Sequence, residues 1–498
     1  MTDGSVLPAL AAALQPGTAL ACFVGVLLGT IVGVLPGLGP AAAMALVLPL
    51  TLKLGPAAGL VMLAGIYYGS MYGGSTTSIL VNVPGEAASV VTTIDGYRLA
   101  RRGRAGAALA VAAIASFVAG TASVVALQLF APLVARAALA FGPAEYFAFT
   151  LLGLVVLANL TGRSRVKALA MVALGFMLST VGMDPLGGAV RFTLDVGGAQ
   201  GGLSFIAVTT GVFGVAEVLA AAAAPSSATP AARVAFRDLY PSREELRRSV
   251  APILRGSGLG FLVGLMPGPA ATIASFVSYG VERRVSKHRS ELGTGAIEGV
   301  AGPEAANNAA AGGGMVPLLS LGLPFTPATA VLMSGMLLQG ITPGPFLLRD
   351  HPNVFWSVIG SFYVGNAMLL VLNLPLVGLF ARVATIPARY LMPVVLVLCA
   401  VGAFADNNNL FDVWVMIGAG LLGSAMRLLD YDPAPLVLGL VLGPVMERSL
   451  VQALTISRGE VSGLWDSALS ASLLVAAAAA ASAPLLAAAW RGLRRGVR

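Results

Sequence analysis

Apolar runs long enough to cross a bilayer recur along the chain from about residue 18 to residue 490, separated by short polar or basic clusters. A spanning helix needs roughly 20 mostly apolar residues, so this spacing predicts a polytopic membrane protein. Four plain spans are expected at 105–134, 145–160, 166–181 and 203–224. On either side of them the pattern changes. The runs "GTIVGVLPGLGP" from Gly29 and "GFLVGLMPGPAA" from Gly260 carry Pro and Gly at mid-length, where a continuous helix would be broken.

The two breaks belong to a repeat. Gly29, Val32, Gly33, Pro36 and Gly37 match Gly260, Val263, Gly264, Pro267 and Gly268. Downstream, "GGSTTSILVNVP" from Gly73 aligns with "GGMVPLLSLGLP" from Gly313, which sets Pro84 on Pro324. The same two elements in the same order predict a duplication of about 18–140 and 252–380. The chain then divides into an N-terminal segment 1–17, a first repeat 18–140, connecting spans and a cytoplasmic loop 141–251, a second repeat 252–380, and C-terminal spans with a basic tail 381–498. The expected fold is an all-α polytopic membrane protein with two inverted structural repeats, re-entrant or broken helices and roughly 10–14 membrane segments.

Charge gives this fold a direction. The net charge of +8 comes from basic clusters between the spans, not from one face or tail, so it reports topology and excludes a nucleic-acid footprint. The clusters are Arg98, Arg101, Arg102 and Arg104; Arg163, Arg165 and Lys167; 233–255, which also holds acids; Arg283, Arg284, Lys287 and Arg289; and 491–498. The positive-inside rule places all five in the cytoplasm. No Lys or Arg precedes Lys53, so the N-terminus is expected outside and its first span retained. Counting spans from Arg98 returns the chain to the cytoplasm before the second repeat, which makes the repeats inverted. With basic clusters on both flanks, 256–280 is either a re-entrant hairpin with its tip at 266–269 or two short full spans. Composition agrees with the class: 57% hydrophobic and 10% charged, against roughly a quarter charged in soluble chains. Cys22 and Cys399 sit in apolar spans far apart, which predicts neither a disulfide framework nor a metal site.

Irregular backbone at membrane depth is tolerated only where protein or a water-filled cavity satisfies the freed N–H and C=O groups. The tips at 35–40 and 266–269 should therefore line something. Helix N-termini after Pro40 and Pro269 suit an anion, and carbonyls ending the preceding half-helices suit a cation. The expected substrate-binding set is Pro36, Gly37, Gly39, Ser75, Thr76, Thr77, Pro267, Gly268, Asn307 and Asn308, with Glu298, Glu304 and Asn307 as ion-coupling candidates. Ser and Thr serve equally as polar glue between packed helices, and the two carboxylates could instead cap backbone. Adjacent amides and carboxylates in an apolar segment are expensive unless used. Across 18–52, 55–95, 256–280 and 293–345 there is no Lys, Arg or His. An anionic substrate must then be met by helix N-termini, hydroxyls, amides and co-bound cations, which predicts ion coupling.

Other chemistries find little support. The run Gly37-Leu38-Gly39-Pro40 lies between apolar spans and lacks the acidic residue a dinucleotide fingerprint needs about 20 positions later. Lys53, Lys167 and Lys287 stand in no Walker A context, and the histidines His288 and His351 lie in predicted loops. A resident cofactor, a metal centre and an enzymatic activity are not expected.

At "GTIVGVLPGLGP", "YYGSMYGGSTTSILVNVPGE" and above all "GAIEGVAGPEAANNAAAGGGMVPLLSLGLP", the chain resembles the large membrane subunit of the tripartite tricarboxylate transporters, the TctA family. The similarity extends over nearly the whole length, and Glu298, Glu304, Asn307, Asn308 and the loop "RRVSKHRSELG" match the family pattern where they stand. The resemblance implies a secondary transporter of the bacterial inner membrane that works with a small four-helix membrane subunit and a soluble periplasmic substrate-binding protein. It implies import of citrate, other tricarboxylates or related carboxylates with Na+ or H+. The alternatives are a stand-alone carboxylate carrier or an exporter and, from a different class, an intramembrane hydrolase, for which Ser70 or Ser75 lacks a visible base.

Overall fold

In the computed structural model, which describes residues 6–35, 39–161, 164–184, 187–223, 240–376, 379–380 and 388–496, helices dominate. The first part of the chain forms α1 (Val6–Ala13), α2 (Pro16–Val34), α3 (Pro40–Thr51), α4 (Pro56–Val81), α5 (Thr92–Leu99) and α6 (Ala105–Ala138). Then follow α7 (Pro143–Leu160), α8 (Arg165–Ser179) and α9 (Phe205–Ala223). The second unit contains α10 (Arg243–Gly264), α11 (Ala270–Val285), α12 (Glu298–Leu321), α13 (Pro327–Leu338) and α14 (Pro352–Asn373). The C-terminal group is α15 (Ala388–Asn407), α16 (Leu410–Leu428), α17 (Ala434–Ile456) and α18 (Ala468–Gly496). A two-stranded ladder pairs Gly182 with Arg191 and Met183 with Val190 between α8 and α9. Among the described residues, seven helical segments are long and apolar enough to cross a membrane, in keeping with an all-α polytopic membrane protein.

The breaks fall where Pro and Gly direct them. Pro40 takes the first position of α3, where its missing N–H costs nothing. Pro269 caps α11, and Gly268 before it adopts φ +130°, open to glycine but strained for other residues. The ends of the two central helices also correspond. Asn82 closes α4 with φ 57° and Gly322 closes α12 with φ 71°, both left-handed caps.

The helices α4 and α12 form the centre. Every residue from 59 to 81 in α4 and from 298 to 320 in α12 is buried, as a helix enclosed on all sides must be. Glycine seams let their neighbours come close. Gly25, Gly29 and Gly33 of α2 lie on the backbone of Met62, Ile66 and Ser70 of α4. In the second unit Gly256, Gly260 and Gly264 of α10 lie on Gly302, Ala306 and Ala310 of α12. In all six places a Cβ would fall 2.2–2.6 Å from a facing carbonyl oxygen. Conversely, Gly73 meets Thr30 and Gly33, and Gly313 meets Phe261 and Gly264. With Gly29 set on Gly260 and Gly73 on Gly313, the two units share these contacts pair by pair. The seam is the small-residue packing that membrane helices use in place of a hydrophobic driving force.

Each unit then covers the centre of the other. The helix α6 packs on α12 while α14 packs on α4. Tyr68 donates to the Ser361 carbonyl at 2.8 Å, and Asn308 donates to Ser116 Oγ at 2.8 Å. Outside this core, α8 packs on α17, α7 on α17 and α18, and α9 on α16.

Candidate functional site

Some of the polar side chains of α4 and α12 meet where the two helices cross. Glu304, fully buried one and a half turns into α12, accepts Ser75 Oγ of α4 on Oε2 and Thr92 Oγ1 of α5 on Oε1. Asn307 Nδ2 adds a longer contact to Oε2 at 3.3 Å. Asn308 Nδ2 reaches Asn307 Oδ1 at 2.6 Å and the Glu304 carbonyl at 3.0 Å, besides Ser116 of α6. Ser75 and Thr76, together with Tyr72, Ser116 and Asn373, line a cavity of about 10 Å³, room for about one water. Thr77 turns back to its own helix, donating to the Gly74 carbonyl at 3.2 Å.

The structure thus joins Ser75, Glu304, Asn307 and Asn308 in one network, with Thr76 beside it. The other sequence-predicted residues stand elsewhere. Glu298 lies six residues before Glu304, about 9 Å along the helix axis. Both of its oxygens are held by Arg248, at 2.8 and 2.9 Å, and His288 Nδ1 is 2.8 Å from Oε1. Gly268 donates its N–H to the Phe325 carbonyl at 2.9 Å and faces Leu157 and Leu160 of α7. Pro267 shares that turn. Gly39 caps α3 with open space where a side chain would be. Pro36 and Gly37 lie outside the described residues.

Around Glu298 the basic clusters of the sequence meet acids. Arg104 pairs with Glu245, Arg248 also bonds Glu291 at 2.7 Å, and Arg255 pairs with the buried Glu282 at 2.7 Å. The Arg248 hydrogen bond holds the exposed Glu291 carboxyl below its ordinary value. Thus α10, α11 and the junction of α5 with α6 are tied together at the start of α12. The far end of α12 is open. Leu321, Gly322 and Leu323 line a cavity of about 1140 Å³ that also contains Arg191, His351, Glu447 and Arg448.

One residue that sequence reasoning missed organises the closed end. Asp95 of α5 is fully buried and accepts the backbone N–H groups of Gly293, Gly295 and Ala296 at 2.6–3.0 Å, plus the Tyr279 hydroxyl at 2.8 Å. A carboxylate here satisfies the donors ahead of α12 and answers the positive end of its dipole. Asp95→Asn keeps the shape but loses the charge assistance. It is expected to cost about 1–2 kcal/mol, read as a lower unfolding midpoint in detergent and faster hydrogen exchange at amides 293–296. Unchanged exchange there would overturn the capping role.

Residues 19–438 match the Tripartite tricarboxylate transporter TctA family. An uncharacterized 52.8 kDa protein in the TAR-I ttuC' 3' region of Agrobacterium vitis is 47% identical over 462 residues, which is 93% of this chain and 92% of that relative. A second Agrobacterium vitis protein, in the TAR-II ttuC' 3' region, is 47% identical over 215 residues, 43% of this chain and 89% of its own length. No solved structure matches.

Proposed function

The chain belongs to the tripartite tricarboxylate transporter TctA family, and from that premise we propose that it is the large membrane subunit of an ion-coupled importer of tricarboxylates or related carboxylates. Its place is the bacterial inner membrane, beside a small four-helix membrane subunit, with substrate delivered by a periplasmic binding protein. The observation that carries this reading is the network of Ser75, Glu304, Asn307 and Asn308 between the two units, in elements with no Lys, Arg or His. A buried carboxylate without a cationic partner is costly in a membrane core, so the site is built for something that arrives and leaves. A carboxylate substrate entering beside Glu304 needs its charge offset by a co-bound cation, which makes coupling an electrostatic requirement.

Two ends of the molecule fit alternating access between inverted repeats. The ion pairs of Arg248, Arg255 and Arg104 close the end that the positive-inside rule assigns to the cytoplasm. The cavity at Leu321–Leu323 and Arg448 opens at the other end of α12 and supplies a vestibule for delivered substrate. Opening the path inward then requires the Glu298–Arg248 pair to part.

The test is uptake of labelled citrate and a panel of dicarboxylates and aromatic carboxylates into vesicles holding this chain, the small subunit and the binding protein. Accumulation is expected only with the binding protein present, and to collapse when neither a Na+ nor a proton gradient is imposed. Uptake independent of the binding protein would replace the tripartite reading with a stand-alone carrier. No uptake of any panel member would overturn the substrate class.

A further inference from the structure

Glu86 is a carboxylate to which the transport reading gives no task. The chain reaches it through a loop pinned in place: Asn82 ends α4 in a left-handed cap, and Gly85 then runs so close to Gly33 that a Cβ would fall 1.8 Å from its carbonyl oxygen. This return lays Glu86 over α4 at Gly74, where a Cβ would meet Glu86 Cγ at 2.8 Å. Only glycine at position 74 leaves room for it. The next residue, Ser75, donates to Glu304. Two carboxylates therefore rest on neighbouring positions of one helix, and Glu304 lies within electrostatic reach of Glu86. Tyr67, two turns earlier on α4, is a further titratable group within electrostatic reach of Glu86. Glu86 is partly buried, and its Oε1 atom is buried without a hydrogen-bond partner among the described residues.

A buried acceptor left unpaired is expensive, and like charges side by side in a dry core more so. Ser75 and Asn307 occupy Oε2 of Glu304 and Thr92 one lone pair of Oε1, which leaves the second lone pair of Oε1 free for a cation. We infer that Glu86 and Glu304 together hold one monovalent cation, a proton or Na+, at the crossing of α4 and α12. The inference rests on the ion-coupled reading above and names the second ligand of its coupling site. Oxygen-only donors exclude a soft transition metal, and a Ca²⁺ site would call for about 6–8 oxygens. Binding one cation takes the pair from two negative charges to one. The remaining charge repels a carboxylate less, so cation first and substrate second is the order that the electrostatics favour.

The test measures the cation and not transport, so its outcome is separate from that of the uptake experiment. Purified full-length chain in detergent is titrated with ²²Na+, and in parallel its proton uptake is followed over about pH 5 to 9, for wild type, Glu86→Gln, Glu86→Asp and Glu304→Gln. If the ion is Na+, ²²Na+ binds wild type and affinity falls about 10–100-fold in either Gln variant. If it is a proton, ²²Na+ does not bind, and wild type takes up one proton more than either Gln variant. Glu86→Asp keeps the carboxylate and retains binding in either case, which separates loss of the ligand from loss of fold. Glu86→Gln equal to wild type in both titrations would overturn the proposal. Loss of binding in Glu86→Asp together with an aggregated elution profile in all three variants would also overturn it, by making Glu86 a structural residue.

Discussion

Vesicles carrying Glu304→Gln in place of the wild-type chain are expected to lose carboxylate uptake by at least about 10-fold, a floor set by the one hydrogen bond to a charged group, at about 1.5–3 kcal/mol, that glutamine cannot accept. Glutamine keeps the volume and one acceptor, so Ser75 or Thr92 still has a partner and α12 still packs on α6. What it loses is the ability to carry a charge or a proton at the centre of the molecule. The informative companion is Glu298→Gln on the same helix. There the partner is Arg248, at the edge of the membrane core and already shared with Glu291, so the variant is expected to keep most uptake. Equal losses in both variants would mean that Glu304 acts as one more structural carboxylate, and the site assignment would fall. Near-normal uptake in Glu304→Gln would overturn it outright.

That contrast marks where sequence reasoning reached its limit. The breaks before Pro40 and at Pro267–Pro269 were legible because Pro and Gly act on the backbone where they stand. The four connecting helices were legible from their apolar runs, and α6 to α9 lie over them within a few residues, although α8, at 15 residues, is not among the seven segments long and apolar enough to cross a membrane. The pairing of Ser75 with Glu304 joins positions 229 residues apart and depends on how two buried helices cross, which no local pattern records. Glu298 and Glu304 looked alike as acids in one apolar segment. Arg248, read as a topology signal, turned out to be the partner of the first and not of the second. Asp95 was passed over because its value lies in three amides about 200 residues away.

Gly260→Ala is expected to destabilise the chain by about 3 kcal/mol, the upper part of the range for overpacking a close interface. The added methyl would sit 2.2 Å from the Ala306 carbonyl oxygen, against backbone that cannot swing aside. In the first unit Gly33, the counterpart of Gly264, comes as close: Gly33→Ala meets the Ser70 carbonyl oxygen at 2.2 Å and should cost about as much. The control lies in the same helix. Gly258 has nothing within 4 Å of a would-be Cβ, so Gly258→Ala removes only the helix penalty of glycine and is expected to be neutral or to stabilise by up to about 1 kcal/mol. Thermal unfolding of the three variants in one detergent reads all of these at once. A Gly260 variant as stable as the Gly258 variant would mean that α10 and α12 can separate without loss, and the shared seam would no longer explain why the two units pack alike. A loss at Gly260 and Gly33 together with retained ²²Na+ or proton binding in the folded fraction would divide the glycines by role. Those of the seams hold the helices close, while Gly74 makes room for the Glu86 carboxylate.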